Sequence, residues 1–304
     1  MKTYLIIPFI SFILAFMVNG QQICTIIPKS LTCEYLSNPT GLDVTQPRFN
    51  WTLNATDEKK FGQLQTAYRI LVASSTNNLD KNIGDCWDSG WVKSDDMQLI
   101  RYEGKELQSD KDYFWNVIVK DETGNISAVS ETATFSTGLF NQEEWTAKWI
   151  GTSEVYDPNR GSNQMYDPWF RKNFDLNQKP ERAILFVASV GYHEVYVNGQ
   201  KIGDHVLAPA VTDHTKRARY IAYDIAPALK KGKNTIVLWL GTSWSIFGAY
   251  ATPDKPRAPI VIAQVDIYGS NRHKLARIIT DESWRTHPSP NKLIGNWDFG
   301  AGGY

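Results

Sequence analysis

Residues 183–247 constrain the fold more than any other part of the chain. Ile184, Phe186 and Ala188 alternate with Leu185, Val187 and Ser189, so neither face of this run is strongly polar. That pattern fits a strand covered on both sides. Residues 193–197 and 200–203 are β-capable runs joined by Asn198-Gly199. A type I′ turn needs φ > 0 at both central positions, which Asn and Gly tolerate best, so a tight hairpin is predicted here. Residues 220–223 and 235–240 predict two more strands. Between them residues 224–229 predict about one helical turn, with Asp224 better placed as an N-cap than as an acid. A loop carrying Gly241 and Trp244 follows. These segments together predict the interior of an antiparallel β-sandwich.

Residues 27–138 predict a second unit of the same class. Phe49, Trp51 and Leu53 share one face of a strand, and residues 67–73 form another. Residues 86–92 bring Trp87 and Trp91 across a turn, and Tyr113, Trp115, Val117 and Val119 line one side of a later strand. Residues 121–125 read as a turn, and residues 133–137 close the unit. Short strands between turn signals, with almost no helical periodicity, resemble a fibronectin type III domain. Tyr113, two residues before Trp115, suits the tyrosine corner of such folds.

The connection spans residues 139–168. Trp145 and Trp149 flank Ala147 at strand-like spacing, which predicts a linker docked on one of the sandwiches rather than a free tether. A loop-rich stretch follows, and the second sandwich is expected over residues 169–290, before a Gly-rich tail at 291–304. The length of 304 residues suits two domains. Lys+Arg and Asp+Glu both number 32, so no charge field favours nucleic acid as a partner.

Residues 1–20 read as a targeting segment: Lys2, an apolar run over residues 4–18, then Val18-Asn19-Gly20 before a cut ahead of Gln21. Cleavage implies export to the periplasm or the medium; retention as an anchor is the rival reading. Cys24 lacks the small residue before it that a lipoprotein signal needs. Cys24 and Cys33 are close enough in sequence to pair in an oxidising compartment, and three unpaired small side chains fit equally well. No pair of cysteines has zinc-ligand spacing. Asn50, Asn54 and Asn125 begin N-glycosylation patterns, which carry meaning only in a host that uses them.

A family resemblance rests on eight segments in order. They are residues 145–151 (WTAKWIG), 169–174 (WFRKNF), 191–199 (GYHEVYVNG), 207–209 (LAP), 223–225 (YDI) and 232–234 (GKN), preceded by AYRI and WDSG at 67–70 and 87–90. The chain resembles the N-terminal accessory region of bacterial α-L-rhamnosidases of glycoside hydrolase family 78. That resemblance implies two tandem β-sandwiches, fibronectin type III-like and then jelly-roll-like. It also implies hydrolysis of terminal α-L-rhamnose by an (α/α)6 barrel, whose helical periodicity is not found in these residues. The implied partners are a rhamnosylated glycan or glycoside and the catalytic domains of the same polypeptide.

No catalytic residue is assigned. Inverting hydrolysis needs two carboxylates about 6.5–9.5 Å apart with different protonation states. Glu194, Asp204, Asp213 and Asp224 do not form such a pair by position. His193, His205 and His214 show no zinc spacing and no pairing with a serine nucleophile, and Ser243 and Ser245 lack a nucleophile-elbow context. Sugar binding is the better expectation. Trp244 can offer an aromatic platform, and Asp213 can take hydroxyls or help hold calcium, for which no ligand set is assignable. For both, a packing or turn-capping role is the alternative. Three functions therefore stay open: the front end of a rhamnosidase, a stand-alone carbohydrate-binding protein, and a pair of structural spacers.

Overall fold

The computed structural model describes residues 23–56, 59–153, 166–242, 245 and 258–292. The predicted targeting segment lies outside them. In the first sandwich β1 (Ile26–Cys33), β2 (Arg48–Ala55) and β5 (Ile100–Arg101) form a three-stranded sheet in the order β1-β2-β5. It faces a four-stranded sheet of β3 (Gln65–Ala73), β4 (Trp87–Asp88), β6 (Asp112–Asp121) and β7 (Ala133–Ser136), ordered β4-β3-β6-β7. The predicted alternation selects the core. Phe49 and Trp115 are fully buried with ring centroids 4.4 Å apart, and Phe135 packs 5.9 Å from Phe49. The tyrosine corner forms as expected, the Gln108 N–H donating to the Tyr113 hydroxyl at 2.8 Å.

All three cysteines are free thiols. Cys24 lies two residues before β1 and Cys33 ends it, and an eight-residue strand separates its ends by roughly 25 Å, far beyond disulfide reach. Burial pushes the thiols of Cys24 and Cys33 up and carries Cys86 to about 11.

The second sandwich stacks five strands on four. The strands are β8 (Tyr166–Leu176), β9 (Arg182–Val190), β10 (Tyr192–Val197), β11 (Gln200–Ile202), β12 (Tyr220–Asp224), β13 (Gly232–Gly241), β14 (Ile260–Tyr268), β15 (Lys274–Ile279) and β16 (Arg285–Lys292). The sheet orders are β11-β10-β13-β8-β16 and β12-β9-β14-β15. Asn198 at φ 51° and Gly199 at φ 85° make the predicted tight turn between β10 and β11. Asn198 does more than turn the chain: its amide donates to Ala228 O and Asn234 Oδ1, and its oxygen accepts from Thr235 N. The hairpin is thereby pinned to the start of β13. Asp224 accepts from Ala226 N at 3.0 Å, one residue ahead of the N-cap position of the short 3-10 turn Ala226–Ala228, which Ile225 fills rather than Asp224 as expected.

Both faces of β9 are buried because the two sandwiches meet on it. Leu185 and Val187 face the core of their own sandwich, while Phe186 and its neighbours on β12 meet the first sandwich. Gly41 sits so close to Ala222 that a Cβ on it would fall 2.2 Å from the Ala222 methyl carbon. Arg182 is clamped by Asp110 and Asp112, each at 2.7 Å. The linker docks on the second sandwich: Thr146 N donates to Gln264 Oε1, Lys148 N donates to Thr280 O, and Ile150 bridges to Val261.

Candidate functional site

The inner face of the five-stranded sheet is filled by Phe170, Val195, Ile236 and Leu238. Strand alternation must then send their neighbours outward. Register aligns these outward residues in rows across strands that are distant in sequence. One row runs Glu194–Trp239–Trp169–His287. The next runs Lys201–Tyr196–Val237–Arg171–Arg285. Trp169 and Trp239 meet edge to face with centroids 5.5 Å apart, and Tyr196 lies 6.3 Å from Trp239. All three rings are half-buried.

At one end of this face a cleft of about 240 Å³ opens. Tyr192, Glu194, Trp239, Asp167 and Asn291 line it, and the exposed side chains of Val206 and Leu207 form its lip. The lip is anchored where His193 N donates to Ala208 O at 2.8 Å. Asp167 is only 2% exposed, and one carboxylate oxygen accepts from both the backbone N and the hydroxyl of Thr242, at 2.9 and 2.8 Å. Its other oxygen has no hydrogen-bond partner among the described residues. Burial pushes the Asp167 carboxyl up despite those two bonds. Glu194 goes the other way: burial opposes its ionisation, but Lys201 and the Tyr196 hydroxyl outweigh it and hold the carboxyl low.

Beneath the cleft lies a buried polar chain. His193 Nδ1 is 2.8 Å from Ser189 Oγ, and Nε2 is 3.1 Å from the Tyr223 hydroxyl. Ser189 donates its own proton to Gly191 O. The bonds are all satisfied when Tyr223 donates to Nε2 and Nδ1–H donates to Ser189. The contact brings together a histidine and a serine four residues apart that the sequence had not linked. It does not create a nucleophile, because Ser189 is fully buried and receives a proton from the imidazole. Burial lowers the His193 pKa to about 3, which keeps the ring neutral.

The two residues singled out for sugar binding are not brought together. Trp244 lies outside the described residues. Asp213 is exposed on a turn, where its carboxylate accepts from Thr215 and pairs with Lys216 at 3.2 Å, and it does not line the cleft. Among the described residues no group of His, Cys, Asp and Glu could hold a metal ion. The residues the sequence reading missed are Asp167, Trp169 and Trp239. The alternation of Thr235, Val237 and Trp239 with buried neighbours was the available signal for the last of these.

Comparison with known proteins adds a second line of observation. Residues 28–141 match the family described as Rha78A-like, N-terminal immunoglobulin domain, and residues 178–297 match the α-L-rhamnosidase N-terminal domain. An α-L-rhamnosidase of Formosa agariphila is 36% identical over 224 residues, 68% of this chain and 23% of that protein. The structure of an α-L-rhamnosidase from Dictyoglumus thermophilum is similar at 38% identity and a TM-score of 0.76, covering 86% of this chain and 30% of that one. A Streptomyces avermitilis α-L-rhamnosidase solved with L-rhamnose shares the fold, with a TM-score of 0.72 at 20% identity over 89% of this chain and 42% of its own. The chain thus spans less than half the length of each of these relatives.

Proposed function

From the premise that this chain belongs to the N-terminal region of the α-L-rhamnosidase family, we propose that it is the accessory, non-catalytic front part of an exported enzyme. That enzyme removes terminal α-L-rhamnose from a glycan or glycoside, and its hydrolytic carboxylates lie in sequence outside these two domains. The observation that carries the reading is the pair of N-terminal family matches in consecutive order on this chain. The aromatic cleft supports a subsidiary role in holding the substrate, since an aromatic ring beside a fixed carboxylate suits a pyranose.

The test compares the isolated 304-residue chain with the complete product of its gene on p-nitrophenyl α-L-rhamnopyranoside. Turnover by the complete product alone is the expected result. Turnover by the isolated chain, abolished by Asp167→Asn, would overturn it, because Asp167 and Glu194 line one cleft with their carboxyls shifted in opposite directions. A second reading, a stand-alone carbohydrate-binding protein, is favoured by the same cleft. It requires that the complete product be no larger than this chain and that L-rhamnose bind to it.

A further inference from the structure

Arg171 and Arg285 stand directly opposite each other on β8 and β16. Facing residues share one side of a sheet, with Cβ atoms about 5 Å apart, and like charges in that position repel. Proteins usually relieve such a pair with a carboxylate. Here neither arginine has an ion-pair or hydrogen-bond partner among the described residues, and both are exposed. The third cation of the row, Lys201, is already neutralised by Glu194. Two adjacent guanidinium groups, each able to grip an oxyanion through two parallel N–H donors, are therefore left open on a sheet face. Trp169 sits beside them in the next row, with Trp239 across from it.

We propose that this face binds an anionic glycan, a sugar unit bearing a carboxylate or a sulfate group that Arg171 and Arg285 hold over the Trp169–Trp239 platform. The aromatic rings favour a sugar over a bare phosphate, because an indole ring offers apolar contact to the C–H face of a pyranose. The net charge of +0 supplies no general attraction for polyanions, so binding has to come from the local pair. The inference goes beyond the rhamnosidase reading and does not depend on it: the enzyme assay can fail while this platform binds, and the reverse.

The test measures binding of the 304-residue chain to polygalacturonate, which offers carboxylates, to dextran sulfate, which offers sulfates, and to neutral dextran. At physiological salt one or both charged polymers should bind and dextran should not; which of the two binds identifies the anionic group. Arg171→Ala and Arg285→Ala should each weaken binding about fivefold, and the double variant more than tenfold. Because each substitution removes repulsion, the melting temperature should stay level or rise, so lost binding cannot be laid to misfolding. Lys93→Ala and Lys105→Ala, on the exposed surface of the first sandwich, should change nothing. The proposal is overturned if neither charged polymer binds or if the lysine and arginine variants weaken binding equally. It is also overturned if single-stranded poly(dT) binds as tightly as either polysaccharide.

Discussion

His193 shows what a single buried side chain costs and contributes. Its folded-state pKa of about 3 lies well below the 6.5 of an unfolded chain. Between those values the unfolded state binds a proton that the folded state does not. Stability is therefore full above pH 6.5 and falls as the pH drops, by up to about 1.4 kcal/mol per unit. Urea melts at pH 7 and pH 5 should show His193→Gln losing less stability on acidification than the parent; equal losses would mean the ring is not held neutral. Ser189→Ala leaves the imidazole N–H without an acceptor and should cost about 1–3 kcal/mol at pH 7. The residue scale was where the sequence was least legible. Asp213 was read as a sugar or calcium ligand with turn capping as the alternative, and its carboxylate accepts from Thr215 on its own turn, whereas Asp167 sat in a stretch with no periodic signal and became the buried carboxylate of the cleft.

The elements were legible because their signals are local. Asn198-Gly199 between two alternating runs demanded a hairpin, and the backbone at both positions adopts the left-handed conformation that pattern requires. Nothing lies within 4 Å of a Cβ built on Gly199, so Gly199→Ala carries only a backbone penalty, about 1–2 kcal/mol. Asn198→Ala should cost more, since it also removes the three bonds that tie the hairpin to β13 and the 3-10 turn. Thermal melts of the two variants check the order; a milder Asn198→Ala would show those bonds to be dispensable. What stayed hidden is how distant strands line up. Each strand announces its two faces, but no local pattern says that β13 pairs with β8, or β8 with β16. The row joining Val237, Arg171 and Arg285 depends on both registers, and a one-residue slip in either would disperse it.

At the scale of the whole molecule, the two sandwiches were foreseeable and their junction was not. The doubly apolar β9 hinted that something covers its outer face, without saying that the first sandwich does. Arg182 is 11% exposed at its side chain and is held by Asp110 and Asp112 across that junction. Arg182→Ala strands the Asp110 carboxylate, while Asp112 keeps Arg272 at 3.5 Å, and should cost about 3 kcal/mol. Calorimetry should then resolve two transitions where the parent shows one, and small-angle scattering should report a longer particle. A single unshifted transition would show the clamp to be ornamental.

Gly41 gives that junction a further meaning. Its missing side chain lets the backbone lie against Ala222, and any larger residue there must push the sandwiches apart. The domains match separate family descriptions and look like interchangeable modules, yet a recombinant that joined the second to a foreign first domain would inherit a steric collision and an unanswered arginine. Shuffling can succeed only if the incoming domain already carries a glycine at 41 and acids at 110 and 112. The two domains are thus one unit of fit, not two.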